Sequence, residues 1–209
     1  ISIGSNTKAN ATGAIGLGKD VTASGSDSVS LGTSANATDS GSIAIGQISE
    51  STDTNSVALG YKSKAKGASA TAIGPQTEAT KTSAVALGRG ATATEDYAVA
   101  IGDSASATIT NGVALGYKSK TTTASGVVGY DANANRTNKY AGLTGNTLTS
   151  TLGAVSIGDG TNNTRQITGL AAGTKDTDAV NVAQLKSVNL AVTGDNSSSG
   201  DVNLANSKL

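Results

Sequence analysis

The chain offers little for covalent or acid–base chemistry. It contains no His and no Cys among its 209 residues, which removes the commonest general base and the sulfur nucleophile. Asp20, Glu78 and Asp103 stand singly, in turns or among outward-facing charges. No two carboxylates are arranged as a pair for acid/base work, so no enzymatic activity is expected. Asp occurs irregularly, unlike the regular Asp of calcium-loaded β-rolls, and no metal or other cofactor is expected. Gly16-Leu17-Gly18 is not a phosphate loop, because it lies inside a repeat and no helix follows it. What remains is the chemistry of binding. Lys62, Lys64 and Lys66 beside Tyr61, and Lys118 and Lys120 beside Tyr117, form the candidate patch. Weak contacts of this kind sum by avidity when a surface is repeated.

The element that must position these residues is a repeat. Ser56-Val57-Ala58-Leu59-Gly60 has counterparts at Ser28–Gly32, Ser42–Gly46, Ala84–Gly88, Ala98–Gly102 and Gly112–Gly116. Closing glycines fall at Gly4, Gly18, Gly32, Gly46, Gly60, Gly74, Gly88, Gly102 and Gly116, always 14 residues apart. A fixed period held this long marks a stacked, repetitive fold. Before each glycine, large apolar residues sit two apart, as in Val57 and Leu59, and share one face of a strand. Ser, Ala or Gly occupies the place between them. A second run follows each glycine, with small or apolar residues at its third and fifth places (Ser63 and Ala65, Thr77 and Ala79) and charge at alternate places. Each repeat therefore reads as two short strands and two turns, one coil of an all-β solenoid.

The expected core of each coil is the large pair. The opposite face of the first strand holds only small residues, including Ala44, Ala58, Ala72, Ala86, Ala100 and Ala114. It is expected to meet another backbone closely, as an oligomer interface.

Composition fits such a fold. There is no Phe, Trp or Met, and the only aromatics are five tyrosines, too few for a conventional globular core. The formal net charge is zero, so nothing argues for nucleic acid. No signal peptide or long apolar span is present, and membrane insertion by this stretch is not expected. The chain starts inside a repeat, at Ile1, and reads as a fragment of something longer.

Five segments follow. Head repeats occupy 1–129, with the copy at Ser125–Gly129 one residue short. An insertion occupies 130–153, with Tyr130, Arg136 and Tyr140. A last coil returns at Ala154-Val155-Ser156-Ile157-Gly158 and leads through 166. Within 167–188 the period changes: Val182, Leu185 and Val188 are spaced for one face of a short helix, with Asp176 or Asp178 placed to cap it. Residues 189–209 alternate again, at Leu190 and Val192, and read as a hairpin opening a following domain.

These residues resemble the head and neck of the YadA-like trimeric autotransporter adhesins. The Ser-Val-Ala-Leu-Gly copies look like that family's 14-residue head repeats. The run Ile167–Lys186, with Asp178-Ala179-Val180-Asn181-Val182-Ala183-Gln184-Leu185, looks like its neck motif. The resemblance implies a trimeric, left-handed parallel β-roll followed by a neck with a short helix. Three chains would join at the neck, through residues such as Asp178, Asn181, Gln184 and Leu185. It also implies a bacterial cell-surface protein, held in the outer membrane by a C-terminal region absent here. The family's collagen-binding motif, Asn-Ser-Val-Ala-Ile-Gly-x-x-Ser, is matched by Asn55-Ser56-Val57-Ala58-Leu59-Gly60-Tyr61-Lys62-Ser63, with Leu59 in place of Ile. Asn111–Ser119, with Tyr117 and Lys118, matches less closely.

The function expected is adhesion to host extracellular matrix proteins (collagen, fibronectin or laminin), to cells or to abiotic surfaces. The competing reading is a non-adhesive spacer that projects other domains from the cell surface.

Overall fold

A computed structural model describes residues 1–131 and 141–187. The expected Arg136 and Tyr140 of the insertion, Val188 of the helical face, and the hairpin of 189–209 lie outside the described residues.

The 14-residue period becomes two parallel sheets. The first has ten strands in sequence order, from Ser2–Ile3 through Ile15–Leu17, Val57–Leu59 and Val113–Leu115 to Val155–Ser156. The second has eight, from Lys8–Ala9 to Ser106–Ala107. Strand pairing steps by one repeat, so that Thr71 lies between Val57 and Val85, Ala72 between Ala58 and Ala86, and Ile73 between Leu59 and Leu87. Identical positions thus form columns along the stack, and each coil hands its backbone hydrogen bonds to the next.

The interior is the reverse of the one expected. Ala44, Ala58, Ala72, Ala86, Ala100 and Ala114 are all fully buried within the single chain. They cannot be a surface that meets another chain. Leu59, Leu87 and Leu115 of the expected core point outward, 40–45% exposed. Each coil turns four positions inward, all of them small or of middling size: Ser56, Ala58, Ser63 and Ala65 in one coil, and Ala70, Ala72, Thr77 and Ala79 in the next. Strands of two or three residues leave the coil too thin for a Leu on each side. The two sheets close on one another through side chains no larger than Val21 or Thr77, and mostly through Ala and Ser. The inward residues of the second run are where the alternation placed them.

Most polar interior residues are tied locally, although the buried Ser28 and Ser30 hydroxyls have no hydrogen-bond partner among the described residues. Ser51 Oγ lies 2.6 Å from Ser56 Oγ, Ser56 Oγ donates to the Asp53 carbonyl at 2.6 Å, and Ser63 Oγ donates to the Gly60 carbonyl at 3.0 Å. The corners depend on left-handed backbone. Asn55, Lys62, Ser69 and Gln76 have φ between 55 and 59°, apart from Lys62 at 54°. That conformation costs an L-residue roughly 1–2 kcal/mol. The ladder holds it in place, with Lys62 N–H donating to the Gln47 carbonyl and Gln76 N–H to that of Tyr61. At Gly60, φ is 134° and a Cβ would lie 2.6 Å from the Gly74 carbonyl oxygen, so only glycine allows the coils to stack there.

The array ends differently from the expected boundary. The Ser125–Gly129 stretch does not form a coil. Val128 makes an antiparallel bridge with Thr149, and both Val127 and Val128 are more than half exposed. Val155–Ser156 stacks directly on Val113–Ala114 instead. The excursion from the solenoid therefore begins before residue 130.

The short helix runs Val182–Ser187, and its cap is neither Asp176 nor Asp178. Asn181 Oδ1 accepts from Gln184 N–H at 2.9 Å, and Gln184 Oε1 accepts from Asn181 N–H at 3.2 Å. This is a reciprocal capping box. Asp178 holds the preceding turn, accepting from the N–H groups of Thr174 and Lys175 at 2.9 and 3.0 Å.

Candidate functional site

With small residues inside, the first sheet turns its large ones outward. Val57, Val85, Val99 and Val113 form one column, joined by Thr71, and Leu59, Ile73, Leu87, Ile101 and Leu115 form another. The result is a long apolar face that nothing among the described residues covers. Contiguous apolar surface of this kind marks an interaction site.

The nine residues of the matched motif divide between coil and surface. Ser56, Ala58 and Ser63 are buried, and Gly60 is required by stacking. Asn55, Leu59, Tyr61 and Lys62 are exposed and Val57 is half-buried. The motif is therefore largely the grammar of the coil, and only its corner and its outward apolar residues can touch a partner.

Tyr61 and Lys62 sit at that corner, and Tyr117 and Lys118 occupy the same corner four coils on. In each pair the lysine Nζ lies 5.2 Å from the ring centroid, a cation–π distance. Lys62, Lys64, Gln76, Thr77 and Glu78 line a shallow depression beside the first pair. Lys64 is flanked in register by Glu50 and Glu78, and Lys66 pairs with Glu50 at 3.1 Å. Arg89 pairs with Asp103 at 2.7 Å. A hydrogen bond from Ser104, and the Arg89 guanidinium, hold the Asp103 carboxyl below its ordinary range.

Arg165 is a residue the sequence reading missed. Its guanidinium donates to the Tyr117 carbonyl at 2.6 Å, to Ser119 Oγ at 3.0 Å and to the Ile157 carbonyl. In a regular coil the Tyr61 carbonyl takes an N–H from the next coil, that of Gln76. At Tyr117 the arginine takes that place and closes part of the open end of the array. Asp159 orders the turn just before it, accepting from the N–H groups of Thr161, Asn162 and Asn163 at 2.8–2.9 Å. The hydrogen bonds from Asn163 and Thr161 hold the Asp159 carboxyl far below the usual carboxylate range.

In the neck, Gln184 also joins Gly173 through both its amide oxygen and nitrogen, at 2.9 Å each. Asn181 Nδ2 donates to the Leu170 carbonyl at 3.1 Å. Asp178, Asn181 and Gln184 are thus engaged within the chain, while Leu185, Val182 and Val180 are 66–68% exposed.

Among the described residues no group of three or more His, Cys, Asp or Glu could hold a metal ion. No helix there is long and apolar enough to cross a membrane.

The fold defines a class: a parallel β-solenoid with its large apolar residues on the outer face, followed by a neck. The YadA head domain repeat model matches residues 23–47, 52–77, 79–105 and 93–119. The model for the coiled stalk of trimeric autotransporter adhesins matches residues 166–208. The collagen-binding domain of the Yersinia adhesin YadA superposes on 81% of this chain and 84% of its own, with a TM-score of 0.51 and 28% sequence identity. The autotransporter adhesin BadA of Bartonella henselae is 45% identical over 83 residues, 34% of this chain and 3% of that protein. The trimeric autotransporter adhesin AtaA of Acinetobacter sp. (strain Tol 5) is 48% identical over 67 residues, 32% of this chain and 2% of that protein. The chain therefore carries a head and neck of the YadA-like trimeric autotransporter adhesins, a non-enzymatic family. It spans only 2–3% of the length of these two curated relatives.

Proposed function

We propose that this chain is the adhesive head of a bacterial surface adhesin and that it works as a homotrimer. The observation that carries the reading is the uncovered apolar face of the first sheet. Val57, Leu59, Ile73, Val85 and Leu87 present a flat strip that a second and third copy can cover with the same residues. In this reading the apolar strip faces the trimer axis, not the small-residue column first expected there. Exposed Val182 and Leu185 continue the contact into the neck, where a helix of six residues needs packing to persist. Assembly leaves the second sheet and the corners for ligands, and it triples every weak contact. The YadA collagen-binding domain supports a matrix partner for this head. Collagen, fibronectin, laminin and abiotic surfaces remain the candidates, and anchoring in the outer membrane by a C-terminal region follows from the same family relation.

The test is binding of the purified chain to collagen, fibronectin, laminin and bare polystyrene. Saturable capture by at least one of them is the expected result. Absence of binding to all four would favour the spacer, whose sequence needs only the coil.

A further inference from the structure

We propose that the two Tyr-Lys corners, Tyr61-Lys62 and Tyr117-Lys118, form a bipartite site for a linear anionic polysaccharide. The inference rests on the adhesive reading above and names a ligand class for it.

The pentapeptide Gly-Tyr-Lys-Ser-Lys occurs twice, at Gly60–Lys64 and at Gly116–Lys120. The coil accounts for its Gly and for its buried Ser63 and Ser119. It does not account for Tyr and Lys, because other coils place Thr33-Ser34, Gln47-Ile48, Pro75-Gln76 and Arg89-Gly90 at the same two positions. Tyr61 and Tyr117 are 43% and 51% exposed. The φ of Lys62 and Lys118 is 54° and 55°, so the two corners share one backbone conformation and present the pair alike. Four coils separate them, about 19 Å along the rod at ~4.8 Å per coil.

The acids near this edge are largely occupied. Asp103 is paired with Arg89, and Glu50 with Lys66. Glu78 lies beside Lys64 in register. Among the described residues Lys62, Lys118 and Lys120 form no close ion pair with a carboxylate; the charge of Lys118 acts on Asp103, whose nearer partner is Arg89. Each corner thus offers a half-exposed aromatic ring, one face under its own lysine ammonium, so that a sugar ring can lie with its C–H side on the tyrosine while its sulfate or carboxylate meets the ammonium. Two such sites on one stiff edge suit an extended polymer better than a compact partner. A nucleic acid fits less well, because it calls for a concentrated basic footprint and this chain has a net charge of zero.

The experiment measures capture of the full chain on immobilised heparin, neutral dextran and double-stranded DNA, with the matrix proteins alongside. The expected result is saturable binding to heparin that weakens at least about tenfold between low and moderate salt, with no capture on dextran. Binding should fall at least about tenfold in the Lys62→Gln, Lys118→Gln, Lys120→Gln triple variant. Tyr61→Ala and Tyr117→Ala should each cost severalfold, with the melting transition unchanged. Lys81→Gln, on the opposite corner, should bind as the parent does. Equal capture on dextran, tighter capture on DNA, or a triple variant that binds heparin like the parent would each overturn the site. Matrix-protein capture without heparin capture would overturn it while leaving the adhesive reading intact. Heparin capture without matrix-protein capture would support the site and remove the matrix proteins as ligands.

Discussion

The coils and the neck solve the same problem by opposite means. In the coils the backbone carries the fold: identical positions stack in columns, and the side chains inside are Ala, Ser and Thr, with Val21 the largest. In the neck and the lead-in just before it the ladder is gone, and side chains take over the backbone's partners. Arg165 substitutes for a missing coil at Tyr117, Asp159 gathers three N–H groups, and Gln184 ties Gly173 to the cap at Asn181. Repetition makes each coil's residues interchangeable and tightly limited in size. Loss of repetition makes individual polar side chains indispensable. Both regions leave their large apolar residues outside, Leu59 and Leu87 in one and Val182 and Leu185 in the other.

The largest effect should come from size or charge inside a coil. Ala86→Glu places a carboxylate between sheets that admit only a methyl, with no partner for it, and should cost about 4 kcal/mol or more. The variant should lose its cooperative thermal transition in circular dichroism. A variant that melts like the parent would return Ala86 to the surface and reverse the assignment of faces.

Arg165→Ala should act next, and only at the end of the array. Losing charge-assisted hydrogen bonds to the Tyr117 and Ile157 carbonyls should cost roughly 1–2 kcal/mol. Amide exchange should rise at Lys118–Thr121 and stay unchanged at Val57–Leu59. Asn181→Ala removes the helix cap and should cost about 1 kcal/mol, read as faster exchange at Gln184 and Leu185 with the coils untouched.

The smallest effect is that of pH. Asp159 and Asp178 both have carboxyl groups held low by backbone N–H groups, Asp159 chiefly by Asn163 and Asp178 chiefly by Thr174. A depressed carboxylate contributes stability that is full above the unfolded pKa of about 3.9 and is lost as pH falls through the folded value. The turns at these two residues should therefore keep their order at pH 5 and loosen in stronger acid. Side-chain carbon shifts of Asp159 that titrate at an ordinary Asp value would contradict this.

The period, the two strands and the two turns per coil were legible in the sequence because stacking writes the same constraint into every copy. The identity of the inner face was not. Alternation separates two faces without saying which is inside, and the usual preference for large residues in the core points the wrong way in a coil this thin. The signal was nonetheless present: Ser56 and Ala58 on one strand and Ser63 and Ala65 on the other are equally small, and two small faces in one coil fit each other. The cap was also within reach, since Asn181-Val182-Ala183-Gln184 has the spacing of a capping box. Arg165 was not legible, because its partners at Tyr117 and Ser119 are 48 and 46 residues away and are joined to it only by the excursion between the last two coils. Of the matched motif, the sequence could not separate Tyr61 and Lys62, which are exposed, from Ser56, Ala58 and Ser63, which are buried.

The most direct test of the central claim is the solution mass of the chain and of its Leu59→Glu, Leu87→Glu double variant, by sedimentation equilibrium. The account predicts three times the 20.2 kDa chain for the parent and a loss of the trimer for the variant, because both carboxylates would fall on the apolar face. A parent that sediments as a monomer, or a double variant that remains trimeric, would contradict it.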